Sequence, residues 1–317
     1  MRIVAALGGN ALLERGERPE ALTQRRRIRI AAQALAPLTR EHELVICHGN
    51  GPQVGLLATE SENDPELSEP YPLDALGAQT QGMIGYWLAQ ELRNAGVPWP
   101  VVAVVTETVV DETDPAFDHP TKFIGPIYSH SHAHRLAARH GWSIAQDGEH
   151  WRRVVPSPEP RRFVEIGSIR TLVDAHTVTI CAGGAGAPVV ANDSGQLSGV
   201  DAVVDKDLAA ALLARDLHAQ ALLLLTDVPA VQRDFGTDHA TPITRIGTGE
   251  LRELRFAAGS MGPKVEACIR FAEATGGLAV IGALSDAGAM LSGRAGTRIV
   301  AGAADRAALG SAPLPST

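Results

Sequence analysis

Short apolar runs alternate with longer Ala- and Leu-rich segments along most of the chain. Residues 2–7, 43–47 and 221–228 have the length and composition of buried β-strands, and the segments between such runs have the periodicity of amphipathic helices. Strands that alternate with helices form a mostly parallel sheet with helices on both faces. The pattern therefore predicts an α/β fold, a three-layer αβα sandwich, with the very apolar strand 221–228 at the centre of its sheet.

The same reasoning predicts the other elements, and no internal repeat is evident. The remaining predicted strands are 101–106, 177–182, 278–283 and 297–300. The predicted helices are 23–38, a helix from about residue 53, 74–94, 166–174, 205–216 and 263–274. We expect one domain over residues 1–317, with a frayed Ala- and Pro-rich tail at 303–317.

The alternation stops between residues 111 and 158. This stretch contains five prolines and six of the eleven histidines, and it lacks the regular strand–helix rhythm. Proline punctuates regular structure, and irregular insertions on a rigid scaffold often carry function. We therefore predict that residues 111–158 form an inserted, mobile lid subdomain.

Composition excludes several classes of protein. The net charge of −8 argues against nucleic-acid binding, which needs a dense basic surface. No apolar run approaches the length of a membrane span, so no membrane partner is expected. The three cysteines, Cys47, Cys181 and Cys268, have no metal-like spacing and are typical of buried thiols in a reducing compartment. We expect a cytoplasmic protein.

Lysine is rare in this chain. Of the 28 basic residues, 25 are arginine and three are lysine, at positions 122, 206 and 264. Because arginine supplies positive charge almost everywhere, the positions that keep lysine are candidates for sites that need a compact ammonium group and not a planar guanidinium. The other interpretation is that three lysines remain by chance.

Three glycine-rich junctions follow predicted strands. They are Gly8-Gly9-Asn10, His48-Gly49-Asn50-Gly51 and residues 182–186. Ligands of open parallel sheets bind beyond the carboxyl ends of the strands, where glycine lets the backbone approach an anion. One such junction is usually a plain turn, but three favour a phosphate-rich ligand. The P-loop motif is absent, and the spacing from Gly49 to Gly55 is one residue too long for the dinucleotide fingerprint.

The lysines lie beside loops of this kind. Lys206 and Lys264 each lie where a loop becomes a predicted helix, and Lys122 lies in the predicted lid. Phosphoryl transfer needs such point charges to neutralise the moving phosphoryl group. Asp207 has two interpretations, either as a carboxylate that holds two ammonium groups in fixed geometry or as a helix N-cap.

A set of longer motifs occurs in one order from residue 1 to about residue 300. They are ALGGNA at 6–11, HGNGPQVG at 48–55, QGMIGYW at 81–87, VVD at 109–111 with DPAF at 114–117, PTK at 120–122, WRRVVPSP at 151–158, GVDAVVDKD at 199–207, and GSM at 259–261 with PK at 263–264. This set resembles carbamate kinase, a branch of the amino-acid kinase superfamily.

The resemblance implies a role for each matching residue. It implies that Lys206 and Lys264 contact the nucleotide phosphates and the transferring phosphoryl group, that Asp207 organises them, and that Lys122 reaches the substrate from the lid. By the same resemblance, the loops that hold carbamate and the phosphoryl group contain Gly8, Gly9, Asn10, Gly49, Asn50 and Gly51. The implied nucleotide-binding residues are Thr226, Asp227, Val228 and Met261, together with Lys206 and Lys264.

The resemblance also implies an activity and partners. It implies a homodimer that catalyses ATP + carbamate ⇌ ADP + carbamoyl phosphate with Mg²⁺ held mainly through the nucleotide phosphates, and no tightly bound organic cofactor. The family's role in arginine fermentation suggests operation towards ATP synthesis. Two alternatives remain open, a related kinase for another small carboxylate or carbamate, and a non-catalytic ligand-binding regulator on the same scaffold.

The sequence departs from the family pattern at four positions. Phe123 replaces a proline after the lid lysine, Arg153 replaces a lysine, and Ala258 and Gly262 replace a proline and a leucine before Lys264. These changes bear on efficiency and substrate identity more than on the class of reaction.

Two histidine features have competing interpretations. His130, His132 and His134 suggest a metal cluster, but the resemblance implies a helix N-terminus here with Ser129 as its cap. His48 suggests an acid or base, yet transfer to anionic carbamate needs none, so a structural histidine is favoured.

Overall fold

The computed structural model describes residues 1–14, 16–256 and 261–302, and the backbone but not the side chain of Asn10. The predicted tail at 303–317 and position Ala258 lie outside the described residues. The strands are β1 (Arg2–Leu7), β2 (Glu43–His48), β3 (Val101–Ala103), β4 (Glu107–Val109), β5 (Lys122–Tyr128), β6 (Ser143–Asp147), β7 (His150–Val155), β8 (Arg162–Phe163), β9 (Val178–Ile180), β10 (Ala187–Ala191), β11 (Leu197–Gly199), β12 (Ala221–Thr226), β13 (Gln232–Arg233), β14 (Thr241–Pro242), β15 (Arg245–Gly247), β16 (Leu278–Ala283) and β17 (Thr297–Val300).

Helices connect most of these strands. They are α1 (Ala21–Leu35), α2 (Gly51–Asn63), α3 (Leu73–Asn94), α4 (His130–His140), α5 (Ile166–Asp174), α6 (Lys206–Asp216), α7 (Thr248–Glu253), α8 (Met261–Thr275) and α9 (Ala287–Leu291). Short 3₁₀ turns cover Gly9–Ala11, Ala36–Arg40, Pro115–Phe117, Gly183–Ala185 and Leu284–Asp286. In the described ranges, no helix is both long and apolar enough to cross a membrane.

The main sheet has the order β15-β17-β16-β12-β1-β2-β9-β3 within the described residues. Its strands run parallel from β16 to β3, and β17 pairs antiparallel with β16. The prediction of a mostly parallel sheet is confirmed, and β12 lies in its middle as predicted. Because β12, β1 and β2 are adjacent and parallel, their carboxyl ends lie together at one edge.

Alternate residues of the central strands enter two different cores. Val4 and Ala6 of β1 pack with residues of α5, α6 and α8, whereas Ile3, Ala5 and Leu7 pack with α1, α3 and α9. Successive side chains of a strand point to opposite faces, so helices cover both sides of the sheet. The predicted three-layer sandwich is confirmed.

The predicted strand 101–106 is wrong in its second half, because β3 ends at Ala103. The side chain of Gln81 explains the break. Its Oε1 accepts from the backbone N–H of Thr106 (2.9 Å), and its Nε2 donates to the Thr106 carbonyl (3.1 Å). These bonds satisfy the backbone of Thr106 outside the main sheet. The chain then enters a second sheet, of order β11-β10-β4-β8, which sequence patterning missed.

Residues 111–158 contain a separate antiparallel sheet, of order β5-β7-β6, with α4 packed against it. The chain leaves the second sheet after β4 and returns to it at β8, and these two strands pair with each other. We call residues 111–158 the inserted subdomain. The three strands and α4 lie within residues 122–155, and these strands were not predicted.

The inserted subdomain packs on α2 by direct backbone contact. Strand β5 crosses the first turns of α2 so closely that a Cβ atom on Gly55 would lie 2.0 Å from the Cα atom of Gly125. Gly125 itself has φ +68°, a conformation that glycine adopts without strain. Val54, Ile124 and Val155 form an apolar cluster beside this crossing.

Replacing Gly55 with alanine therefore tests the docking. Alanine normally favours a helix over glycine, but here its Cβ would collide with backbone, so we expect Gly55→Ala to destabilise the protein by about 1–3 kcal/mol. Gly77→Ala in α3 is the matched control, since a Cβ there meets nothing within 4 Å. Urea unfolding gives the free energy of unfolding of both variants. An equal loss of stability in Gly55→Ala and Gly77→Ala would contradict the close backbone packing at Gly55.

Candidate active site

Two predicted glycine junctions meet where β12, β1 and β2 end. The N–H of Gly8 donates to the carbonyl of Leu225, and the N–H of Gly49 donates to the carbonyl of Leu7, both at 3.0 Å. These bonds continue the sheet by one residue and hold the loops side by side. The N–H groups of Gly8 and Gly49 therefore serve the loops themselves. Anion-binding donors are expected instead in the first turn of α2, which begins at Gly51.

Glycine is needed here for close approach. A Cβ atom on Gly8 would lie 3.1 Å from the Leu225 carbonyl oxygen, and one on Gly49 would lie 3.3 Å from the backbone nitrogen of Gly9. The same Cβ on Gly49 would lie 3.7 Å from Cδ of Lys206. The stem of Lys206 thus passes within van der Waals reach of Gly49, and the tight contact that favours glycine at this position is with the backbone of Gly9.

Lys206, Asp207 and Lys264 form one buried ion cluster. Nζ of Lys206 lies 2.6 Å from Oδ1 of Asp207, and Nζ of Lys264 lies 3.1 Å from Oδ2. The lysines come from the starts of α6 and α8, which pack against each other. One carboxylate thus holds two ammonium groups from two helices, as one interpretation of the sequence predicted.

Burial and charge act in opposite directions on these groups. Burial disfavours the carboxylate of Asp207, but Lys206 and Lys264 outweigh it and hold its pKa well below the usual value. Burial likewise disfavours the Lys206 ammonium, and Asp207 outweighs it so that the pKa of Lys206 is raised. Asp207 and Lys206 therefore both stay charged at neutral pH.

The alternative that Asp207 is the N-cap of α6 is wrong. Asp205 occupies that position, and its Oδ1 accepts from the N–H groups of Asp207 (2.9 Å) and Leu208 (3.3 Å). Sequence reasoning assigned Asp205 no role. The preference for Asp at N-cap positions was the available signal, since Asp205 precedes the first helical residue.

Lys122 reaches the same place from the inserted subdomain. Its Nζ lies 2.5 Å from Oδ2 of Asp205, and its charge also helps to lower the pKa of Asp207. All three lysines of the chain are thus brought together by elements distant in sequence. Asp205 joins Lys122 to the capped end of α6.

The predicted nucleotide-binding residues lie at the end of β12 and at the start of α8. Thr226 ends β12, next to the strand that leads to Gly8, and its hydroxyl donates to Oδ1 of Asp227 (3.0 Å). Val228 follows in the same loop, and Met261 begins α8 and packs against the core. These residues lie at the β12 side of the site, and the loop with Asn50 and Gly51 lies at the β2 side.

The third glycine junction fits against the second. A Cβ on Gly184, at φ +59°, would lie 2.2 Å from Nδ2 of Asn50, and one on Gly183 would lie 2.5 Å from Nε2 of His48. Asn50 is buried and donates to the hydroxyl of Thr80 (2.8 Å). The glycines at 183 and 184 therefore accommodate side chains of the substrate-loop candidate, which is a packing role.

His48 has the structural role that the sequence favoured. It is fully buried, and its Nδ1 donates to the Gly49 carbonyl at 3.0 Å. Burial lowers its pKa to about 4; the bond to Gly49 opposes this shift and the Lys206 charge adds to it. The ring is therefore neutral and holds the turn.

The histidines of α4 pack against aromatic rings. His130 and His134 both lie 5.2 Å from the ring of Trp151, and His132 lies 5.1 Å from that of Tyr128. Ser129 is at the N-cap position, as expected, although its side chain makes no capping bond. Among the described residues, no group of three or more His, Cys, Asp or Glu is arranged to hold a metal ion.

Comparison with known proteins gives the family. Residues 1–282 match the amino acid kinase family. Carbamate kinase of Rhizobium meliloti is 52% identical over 304 residues, which span 94% of this chain and 93% of that protein. Carbamate kinase of Escherichia coli K12 is 48% identical over 297 residues, spanning 94% and 98%. This chain belongs to the carbamate kinases.

Solved carbamate kinases share the fold. Carbamate kinase of Giardia lamblia bound to citric acid superposes with a TM-score of 0.90 at 40% identity, covering 95% of this chain and 98% of that one. The same enzyme bound to AMP-PNP gives a TM-score of 0.86 at 39% identity with the same coverage. The resemblance drawn from the motifs is confirmed.

Two departures from the carbamate kinase pattern make specific contacts in the inserted subdomain. The guanidinium carbon of Arg152 lies 5.6 Å from the ring centre of Phe123, and Arg153 forms an ion pair with Glu62 of α2. Gly262 is the second residue of α8. Arg153 and Phe123 thus take part in how the subdomain is built and docked.

The neutral, buried His48 makes stability depend on pH. The unfolded ring titrates near pH 6.5, so between pH 6.5 and 4 the unfolded state binds a proton that the folded state does not. The contribution of His48 to the free energy of unfolding is therefore fully present above pH 6.5, and it decreases as the pH falls towards 4. A pKa difference of this size is worth about 3 kcal/mol.

Urea unfolding at pH 7.5 and pH 4.5 measures this contribution. For each protein, the free energy of unfolding at pH 4.5 is subtracted from that at pH 7.5. We expect this difference to be about 2–3 kcal/mol smaller in His48→Gln than in the wild type. His150→Gln replaces an exposed histidine and is the control. Identical pH dependence in wild type and His48→Gln would show that His48 does not contribute.

Proposed function

We propose that this protein catalyses reversible phosphoryl transfer, ATP + carbamate ⇌ ADP + carbamoyl phosphate. The observation that carries the proposal is the Asp207 carboxylate bonded to two lysine ammonium groups beside the glycine loops. This arrangement gives fixed positive charge at a site where strand ends and a helix N-terminus meet. A non-catalytic regulator has no need for three converging lysines.

The lysines act by stabilising charge. Both reactants are anions, and the phosphoryl group in transit spreads negative charge over its oxygens. An ammonium group is a compact point charge, and Asp207 fixes the positions of Lys206 and Lys264 before substrate arrives. Preorganised charge of this kind is worth more in a buried site than in water, because it needs no reorganisation during the reaction.

The two sides of the site suit the two substrates. We assign the nucleotide to Thr226, Asp227, Val228 and Met261, and carbamate with the transferred phosphoryl group to the loops of Gly8, Gly9, Asn10, Gly49, Asn50 and Gly51. The N-terminus of α2 favours an anion by its unpaired N–H groups and its dipole. We propose that the phosphoryl group is transferred between these loops and the nucleotide, next to Lys206 and Lys264.

Mg²⁺ would enter with the nucleotide as Mg-ATP. The donor set fits this, because both oxygens of Asp207 are bonded to lysines and Mg²⁺ prefers phosphate and water oxygens in nucleotide sites. When bound, the ion neutralises charge on the β- and γ-phosphates.

The inserted subdomain is proposed to be the mobile lid of this single-domain enzyme. Lys122 is bonded to Asp205, and we propose that it exchanges this partner for the substrate when the site is filled. Closure over the loops would exclude water, which otherwise hydrolyses the phosphoryl donor.

The activity is tested directly in the direction of ATP synthesis. Protein, Mg²⁺, ADP and carbamoyl phosphate are mixed, and ATP is followed by a luciferase assay against a protein-free background. We expect rapid ATP formation, and we propose that this is also the physiological direction, in arginine catabolism. No ATP above background would overturn the proposal, and acetyl phosphate in the same assay then tests another carboxyl acceptor.

Replacing Lys206 or Lys264 with alanine should lower kcat at least about 100-fold with the fold intact. Arginine at either position should also fail, since the Lys206 stem lies along Gly49 and a guanidinium is longer and planar. Steady-state ATP formation and circular dichroism measure these effects. Arg215→Ala, on the exposed end of α6, is the control and should retain activity. Near-normal kcat in Lys264→Ala would rule out the assigned role.

A homodimer is also proposed, and the free edge of the main sheet supports it. Strand β3 ends the sheet in the described part of the chain, and Tyr86 and Val105 near it are 56% and 51% exposed. Exposed apolar side chains beside an unpaired strand edge favour association. The free, buried thiols of Cys47, Cys181 and Cys268 suit the reducing cytoplasm that we propose for it.

Val105→Glu tests the dimer edge. A charge at a buried contact is costly, so we expect this variant to be monomeric in sedimentation velocity at micromolar concentration, where the wild type is dimeric. Phe235→Glu is the control, because Phe235 is also exposed but follows β13, which connects to the opposite end of the sheet. Unchanged association of Val105→Glu would place the contact elsewhere.

A further inference from the structure

A buried polar cluster joins the inserted subdomain to α2. Glu62, in the last turn of α2, accepts at Oε1 from Nη1 of Arg153 (2.8 Å) and from Nε1 of Trp142 (2.9 Å). The guanidinium carbon of Arg153 lies 5.0 Å from the ring centre of Trp142. We refer to Glu62, Arg153 and Trp142 as the Glu62 cluster.

The Glu62 cluster is buried between α2 and the inserted subdomain. The Glu62 side chain is 9% exposed and that of Arg153 is 16% exposed. Oε2 of Glu62 is also buried, with no hydrogen-bond partner among the described residues. The bonds that Glu62 accepts from Arg153 and Trp142 exist only while the subdomain is docked, and hydrogen bonds between charged partners are among the strong ones. The docked position of the subdomain is therefore favoured.

The cluster is connected to Lys122 through one strand pair. In the ladder between β5 and β7, Arg153 is opposite Ile124 and Val155 is opposite Lys122. The contact with Glu62 thus lies two residues along the sheet from the lysine that enters the site. The subdomain is also bonded to the body at Lys122 itself, through Asp205 at the start of α6.

These two contacts have different chemistry. The bond between Lys122 and Asp205 must break when Lys122 contacts a substrate, as proposed above. The Glu62 cluster does not touch the site, so the exchange of partners at Lys122 does not require its bonds to break. It can therefore keep β5 in position on α2, whose N-terminus carries the candidate loop for carbamate.

We propose that Glu62 is a positioning residue for phosphoryl transfer. Through Arg153 and Trp142 it holds the inserted subdomain on α2, and it thereby fixes the place at which Lys122 meets the carbamoyl phosphate side of the site. The inference rests on the proposed function, since it concerns the same site. It adds a determinant outside the residues that touch substrate.

The proposal predicts that loss of the Glu62 cluster changes the KM for one substrate and not for the other. A subdomain docked only about one tenth of the time would weaken apparent binding about tenfold for the substrate that Lys122 contacts. We expect Glu62→Gln to raise the KM for carbamoyl phosphate about tenfold, and to leave the KM for ADP within about twofold, since the nucleotide side lies at β12 and α8. Arg153→Gln should do the same, and the double variant should be no worse than either single one.

Asp147→Asn is the matched control. Asp147 pairs with Arg152 inside the subdomain at 3.3 Å, and its side chain is 20% exposed, but this pair does not bridge to α2. We expect its KM values to match those of the wild type. An equal rise in both KM values in Glu62→Gln, or the same split in Asp147→Asn, would mean that Glu62 only stabilises the fold and would overturn the proposal.

Hydrogen–deuterium exchange separates this inference from the proposed activity. Without substrates, Glu62→Gln should exchange amides of residues 122–128 faster than the wild type, with residues 221–226 unchanged. This readout stands even for a wild type that forms no ATP from carbamoyl phosphate. Unchanged exchange at 122–128 would show that the Glu62 cluster does not hold the subdomain.

Discussion

The Asp207 carboxylate, bonded to the ammonium groups of Lys206 and Lys264, is the interaction on which the site depends. Three charges are buried together, and burial of this kind is tolerated when each charge has a partner in good geometry. The arrangement requires α6 and α8 to lie side by side on one face of the sheet. Beside the cluster, the loop that contains Gly49 approaches the backbone of Gly9 so closely that a Cβ atom on Gly49 would lie 3.3 Å from the Gly9 nitrogen.

Two helices connect this cluster to the inserted subdomain. Asp205 caps α6 with one carboxylate oxygen and binds Lys122 with the other, so the lid lysine is joined to the helix that carries Lys206 and Asp207. On the opposite side, α2 begins at the candidate substrate loop, and its last turn contains Glu62, where the subdomain docks. One helix thus joins substrate loop and docking contact over its length. Substrate binding and subdomain position are therefore expected to be coupled.

Sequence patterning predicted the main sheet well and the irregular parts poorly. The strands 2–7, 278–283 and 297–300 and the helix 166–174 match the structure to the residue, because buried runs between glycine and polar breaks define them locally. The prediction of a strand over residues 101–106 was wrong in its second half, because the side chain of Gln81 in α3 forms hydrogen bonds with the backbone of Thr106. The sheet of the inserted subdomain was missed because its half-buried strands lack a clear alternation and β5 contains Pro126.

The chain by itself determined the α/β class and the family, and it marked the positions where we propose that an ammonium group is needed. Arginine supplies charge elsewhere, so the three lysines are marked in the composition, and the site residues lie in motifs of fixed local spacing. Only the tertiary structure decided that Asp205 and not Asp207 caps α6, and that Asp207 bridges Lys206 and Lys264. It also decided that Glu62 meets Arg153. The contacts of Lys264 with Asp207 and of Arg153 with Glu62 join residues that are far apart along the chain. They exist because packing of the helices and strands brings these charges together and removes water from them.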